Sequence, residues 1–370
     1  ESVLRIPAFR KIWNAVAFSS FGDWLGLLAT TALAQQLAGG NYTTANFAIA
    51  GVFIARLVPS IFLGPIAGVI ADRFDRKQVM VIGDILRAAL FISIPIVGTY
   101  LWLYIATVLV ECVTLFWSPA KEATVPNLVP KNRLENVNQA SLLASYGTAP
   151  LAAVLFSILS IVFTAIRETF ALDGNSAVDL ALYINAFSFI FSGITIAKLD
   201  IPKKHLGDKS TRPNFSSSLF DGARFVSSSK VIRGLIIGML GAFIAAGAVI
   251  GLARVYVGDL EAGDAAYGVL FGTFFSGLAL GIATGPKIFG QFSRRRLFGA
   301  SLASAGFLLI ILALLQNLVL AILTALVLGA FSGVSWVTGY TMIGVEVNDE
   351  MRGRVFAFVQ SLVRISLVAV

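Results

Sequence analysis

The sequence predicts an all-α polytopic membrane protein, on three observations. Hydrophobic residues fill 57% of its 370 positions, charged residues only 13%, and mean hydropathy is +0.84, whereas a soluble chain carries roughly a quarter charged residues. Apolar stretches of about 20 residues alternate with short polar breaks. A helix rising about 1.5 Å per residue needs that length to cross a hydrocarbon core about 30 Å thick. The segments of about 10 residues with apolar-polar alternation that mark a transmembrane barrel are absent.

Hydropathy and helix breakers place eleven spans in order: 12–38, 46–71, 79–98, 101–118, 134–165, 181–197, 231–257, 265–289, 297–316, 318–344 and 355–370. The first is too long, and too closely followed by a second, to be a cleaved signal peptide. The last runs to Val370 without a polar flank, and the chain begins at Glu1. The expectation is a piece of a longer protein, with a twelfth helix beyond it.

Basic residues set the orientation. If Glu1–Lys11 is cytoplasmic, that side holds 23 of the 28 Lys and Arg, all but Arg56, Arg87, Arg167, Arg254 and Arg364. The opposite loops carry Arg167 with Glu168, Asp173, Asp179, Asp259, Glu261 and Asp264. This asymmetry predicts a cytoplasmic N-terminus. Topology and anionic lipid account for the net charge of +8. No nucleic-acid partner is expected, because the basic residues are spread over separate loops.

The organisation is two-fold: residues 1–197 form one six-helix set, 198–230 a basic, Ser-rich cytoplasmic connector, and 231–370 a second set. The halves echo each other at a steady offset. Gly64-Pro65 followed by Arg76-Lys77 recurs as Gly285-Pro286 followed by Arg295-Arg296, and Val129 and Val137 recur as Val347 and Val355. Two parallel repeats joined by a long connector are one plan of secondary transporters.

Between the second and third spans lies Gly68-Val69-Ile70-Ala71-Asp72-Arg73-Phe74-Asp75-Arg76-Lys77. This run resembles the helix 2–3 loop motif of the major facilitator superfamily, G-x-x-A-D-R-x-G-R-K. Ile70 follows Gly68 by two, Asp75 occupies the usual glycine slot, where aspartate tolerates a left-handed turn, and Val79 takes a position often basic. The runs SSFGDWLGLLATT (19–31), Asp84-Ile85-Leu86-Arg87 and FWSPAKEATVPNLVPKNRLENVN (116–138) are similar to the bacterial 12-helix drug and siderophore exporter branch. The resemblance implies the major facilitator fold, two six-helix bundles in parallel pseudo-repeat, with alternating access.

Gly64 and Gly68, four apart, present a face that lets a neighbouring helix come close, and Asp72 can meet the positive end of another helix. The resemblance implies that this neighbour is the eleventh span, beginning near Arg354. The gate motif is then Gly64, Gly68, Asp72, Arg73, Arg76 and Lys77, supported by an Asp84/Arg87 pair at i, i+3. The alternative is a loop charged simply to remain in the cytoplasm.

Ionisable residues inside spans are functional hypotheses because of their cost there. Asp23, Arg56, Glu111 and Arg364 fall at similar, near-central depth, and none is repeated in the other half. Asp23 is a candidate proton carrier or, alternatively, one half of a static pair with Arg56. Glu111 is a candidate protonated or cation-binding carboxylate, and Arg364 a partner in the same circuit. Arg254, near a span end, is expected to snorkel. Trp24, Trp117, Tyr146, Trp336 and Tyr340 could line a cavity for an amphipathic substrate or serve as packing residues. Pro59, Pro150 and the glycines of 234–251 suggest kinked or closely packed helices.

One histidine (His205) and one cysteine (Cys112) cannot build a His/Cys metal site, and no G-x-x-x-x-G-K-[ST] loop is present. The chain is therefore expected to be no enzyme and no ATP-driven pump, and to need no cofactor beyond a proton gradient. The expected function is proton-coupled export of amphipathic small molecules by a monomer in the bacterial inner membrane. The alternatives are an importer or metal exporter of the same fold, or a non-transporting sensor or scaffold.

Overall fold

The computed structural model describes residues 3–39, 42–71, 74–130, 133–170, 176–200, 224, 229–260 and 263–346. The chain divides into two compact units, Glu1–His205 and Leu206–Val370. Unit 1 holds α1 (Pro7–Leu37), α2 (Tyr42–Ala71), α3 (Arg76–Val97), α4 (Tyr100–Thr124), α5 (Leu134–Tyr146), α6 (Ala149–Phe170) and α7 (Ser176–Ala197). Unit 2 holds α8 (Lys230–Asp259), α9 (Gly263–Ile288), α10 (Arg294–Leu314) and α11 (Leu318–Glu346). No strand occurs among the described residues. The expected span 355–370 lies outside them.

Ten of the eleven expected spans coincide with helices, with two physical differences. Helices run past their apolar windows: α1 starts at Pro7 and α4 continues through Pro119 to Thr124. Hydropathy ends where polar side chains begin, but the backbone hydrogen-bond ladder does not. The single span expected over 134–165 is two helices, α5 and α6, broken at Gly147 and Thr148. Pro150 has no N–H to offer the carbonyl four residues before it, so one bond of the ladder is missing at the break. Pro59, by contrast, sits inside an unbroken α2.

Caps explain several helix ends. Asp75 caps α3, its side chain accepting from Gln78 N at 3.0 Å, with φ −63° and ψ 121°. The left-handed turn that aspartate would tolerate in the glycine slot is therefore not what the chain uses. An extended N-cap satisfies an orphan donor of α3 instead. Gly98, at φ 62°, closes the other end of α3 in the left-handed region that suits glycine.

Within unit 1, α1 packs on α7, α2 and the α5–α6 pair, while α3 lies between α4 and α7, and α2 against α4. Two tyrosines tie α4 to its neighbours: Tyr100 Oη donates to the Ala34 carbonyl at 3.2 Å and Tyr104 Oη to the Ala48 carbonyl at 3.1 Å. Two α1 indoles hold α5, Trp13 Nε1 donating to the Ala140 carbonyl and Trp24 Nε1 to the Ser145 carbonyl, each at 2.7 Å.

Unit 2 is built around α9 and α11. A Cβ on Gly277 or Gly281 would fall 2.0 Å from the carbonyl oxygen of Leu326 or Ala330, and one on Gly329 2.0 Å from that of Phe274. The two backbones touch, as small residues permit. The close packing expected of the glycines in 234–251 is met by one of the three that are described. Gly234 and Gly241 meet nothing within 4 Å, and only Gly238 abuts Leu302 and Phe298. On α10, Phe298, Ser301 and Ala305 turn inward while Phe307, Ile310 and Leu314 are exposed, the division expected of a helix bordering lipid.

Candidate functional site

The apolar packing of unit 1 encloses a polar seam along α7. Asn185, Ser188 and Ser192, at i, i+3 and i+7, are all 0% exposed and so lie along one face. Glycines on α1 let that face come close: a Cβ on Gly22 would stand 2.0 Å from Ser188 Oγ, and one on Gly26 2.2 Å from Asn185 Nδ2. Farther along, Gly193 meets Asp84, whose Cβ lies 3.2 Å from the position a Cβ there would take.

Asp84 and Arg87 form a fully buried ion pair on α3, Arg87 Nη2 donating to Asp84 Oδ1. The guanidinium lies 4.2 Å from the ring centre of Phe189 and 4.6 Å from that of Trp117. Two aromatic faces thus replace part of its lost hydration. The Ser192 hydroxyl faces Asp84 without reaching hydrogen-bond geometry, and Asp84 Oδ2, Arg87 Nε and Asn185 Nδ2 are also unpaired. The i, i+3 pair expected from the sequence forms, and it is buried in the interior of unit 1.

Asp23, half-buried on α1, lies within electrostatic reach of Arg87 and of Arg56 on α2. One turn beyond Arg56, Ser60 donates to Glu111 Oε1 on α4 at 3.0 Å. Residues at i and i+4 share a helix face, so Arg56 and the Glu111 contact belong to the side of α2 that meets α4. Unit 1 therefore gathers Asp23, Arg56, Asp84 and Arg87 into one cluster, with Glu111 beside it. Arg364 lies outside the described residues.

Among the aromatic candidates, Trp24 and Tyr146 are half-buried and tilted against each other at 6.3 Å, and Trp336 stacks on Tyr340 at 6.3 Å in α11. Trp117 is 5% exposed and packs beneath Arg87, a packing position. At the expected gate, Gly64 and Gly68 lie in the last two turns of α2, and Arg76 opens α3. Lys77 Nζ donates to the Leu199 carbonyl at 2.8 Å, fastening the start of α3 to the end of α7. Asp72 and Arg73, and the residues around Arg354, lie outside the described residues.

Asn185, Ser188, Ser192 and Phe189 carry no charge and belong to no motif that would mark them in the sequence. Their trace was present as three small polar residues at helical spacing in an apolar span. No local rule says that such a stripe faces the glycines of α1 and a buried aspartate.

The family model described as a transmembrane secretion effector, of the major facilitator superfamily, matches residues 2–369. The chain belongs to that family. It is 24% identical over 366 residues to the uncharacterized MFS-type transporter YfiS of Bacillus subtilis, covering 93% of this chain and 80% of that protein. It is 26% identical over 240 residues to macrolide efflux protein A of Streptococcus pyogenes, covering 62% of this chain and 53% of the relative. A putative bacilysin exporter, BacE of Bacillus amyloliquefaciens, is 26% identical over 57% of this chain and 49% of its own length. The matches thus span about half of each of these two exporters.

Solved structures agree on the fold. The E. coli fucose:proton symporter FucP aligns at TM-score 0.66 with 15% identity, over 97% of this chain and 88% of that one. An inward-facing bacterial homologue of the lysosomal transporter Spinster aligns at TM-score 0.65 with 13% identity, over 98% and 80%. The chain has the major facilitator fold and is a multi-pass membrane transporter.

Proposed function

We propose that this chain exports amphipathic small molecules in exchange for protons, with Asp23 as the principal proton carrier. The observation that carries the reading is the placement of Asp23, half-buried in a membrane helix within reach of Arg87 and Arg56. A carboxylate in such a position can change charge as its surroundings change. The similarity to macrolide and bacilysin exporters supports export as the direction. Glu111, held by Ser60, is the second titratable group of the same unit. The reading includes a cytoplasmic N-terminus in the bacterial inner membrane, a monomeric carrier, no cofactor beyond the proton gradient, and the gate formed by the Gly64–Lys77 motif.

The test is transport in proteoliposomes under an imposed pH gradient, with a macrolide and a lipophilic cationic dye as probes. Wild-type protein is expected to move at least one probe against the proton flow. Asp23→Asn is expected to abolish the gradient-driven component, and Glu111→Gln to reduce it. Intact gradient-driven flux in both variants would falsify the coupling assignment. Accumulation in the direction of the proton flow favours the importer reading.

A further inference from the structure

Three charged groups of unit 1 converge on two turns of α7. Ser188 abuts α1 at Gly22, next to Asp23; Phe189 carries the guanidinium of Arg87; and Gly193 abuts Asp84. The five helical steps from 188 to 193 rise only about 7.5 Å. Arg87 thus pairs with an acid on its own helix and lies within electrostatic reach of an acid on α1. Its planar guanidinium has five N–H donors in a fixed fork. One arm serves Asp84 Oδ1, Nε is unpaired, and the two rings restrict where the fork can turn.

We propose that Arg87 is a counter-ion shared by Asp23 and Asp84, so that the buried pair on α3 positions and tunes the carboxylate on α1. The consequence for transport rests on the proton-coupled reading above. Asp84 is 0% exposed while Asp23 is half-buried. By side-chain exposure Asp23 is the less enclosed of the two acids, and Asp84 is placed to retain the guanidinium when Asp23 takes up a proton. When Asp23 is ionised, the two acids repel each other and compete for one cation, with Arg56 as a second partner for Asp23. Asn185 and Ser188 come from α7 and do not titrate, Tyr146 of α5 lies against Trp24, and α4 brings Glu111, bonded to Ser60, and Lys121, 5.7 Å from the Trp117 ring centre. Among the described residues, α4 also brings Glu122, within electrostatic reach of Tyr146.

A static pair that merely joins α3 to α4 and α7 makes a different forecast, and a mutant cycle separates the two. The full chain, purified in one detergent, is melted as wild type, Asp23→Asn, Asp84→Asn and the double variant. Sharing means that either acid can hold Arg87 alone, so only the double variant strands a buried cation. The expected loss in Tm for the double variant exceeds the sum of the single losses by about 5 °C or more. Additive losses, with Asp84→Asn accounting for nearly all of them, overturn the proposal.

Should Asp84→Asn fail to fold, the cycle of Arg87→Gln against Asp23→Asn decides. Arg87→Gln must lower Tm less when Asp23 is already neutral, and an equal loss in both backgrounds overturns sharing. In transport, Asp84→Asn gives Arg87 wholly to Asp23, and the pH of half-maximal export should move towards acid by about one unit. An unmoved profile with reduced amplitude is the result of a purely structural pair and counts against the proposal. If wild-type export proves indifferent to the proton gradient, the coupling reading falls, while the melting cycle still decides whether Arg87 is shared.

Discussion

Arg87 is 2% exposed among aliphatic and aromatic side chains, a placement that only compensation makes tolerable. Asp84 supplies the opposite charge and the rings of Trp117 and Phe189 supply polarisable faces. Removing Arg87 leaves Asp84 charged in a poor solvent, and the loss of one partner of a buried pair commonly costs about 3–5 kcal/mol. The indole of Trp24 sits at the other end of the energy scale. Trp24→Phe keeps the ring but removes the donor to the Ser145 carbonyl, and is expected to cost about 1 kcal/mol. Thermal unfolding in detergent checks this, with helical content by circular dichroism unchanged. The sequence marked Trp24 as notable, but only the fold supplies its partner on α5, 121 residues away. Charges were legible because they are rare in apolar spans. The serines and the asparagine of α7 were not, since each is unremarkable alone.

At the scale of elements, the backbone contact between α9 and α11 makes the sharpest forecast. In Gly281→Ala the new Cβ would stand 2.0 Å from the Ala330 carbonyl, and a main-chain oxygen cannot move aside as a side-chain tip can. The helices must separate, at an expected cost of about 2–3 kcal/mol. Gly299→Ala on α10, where nothing lies within 4 Å, should be neutral or stabilise by about 0.5–1 kcal/mol through helix propensity. Melting both variants in the same detergent checks the pair, and equal shifts would contradict the packing described. Both glycines look alike in sequence, and the difference lies entirely in what faces them. The break between α5 and α6 was half-legible: Pro150 announced a kink, but whether the helix bends or stops depends on what holds the freed carbonyls. Pro59 in the unbroken α2 shows the other outcome.

For the whole molecule, the testable quantity is threading through the bilayer. Gln291 lies between α9 and α10, and Gln316 between α10 and α11, both exposed. With Cys112→Ser as background, Gln316→Cys should react with a membrane-impermeant maleimide in intact cells. Gln291→Cys should react only after the membranes are opened. The reverse pattern would invert the orientation drawn from the basic residues. The order of the spans could be read from the chain alone, and so could the loop charges and recurring pattern from which the expected orientation and repeat are drawn. Each depends on properties local in sequence: hydropathy over a window, the charge of a loop, or the recurrence of a short pattern. Tertiary structure decided which helix faces touch, and therefore that Asp23 lies within electrostatic reach of Arg87 as well as Arg56 and that the Asp84–Arg87 pair is interior. The physical reason is that a pairwise contact depends on how closely two backbones can approach. That distance is set by glycines and small polar residues on both partners, and no single helix carries the information.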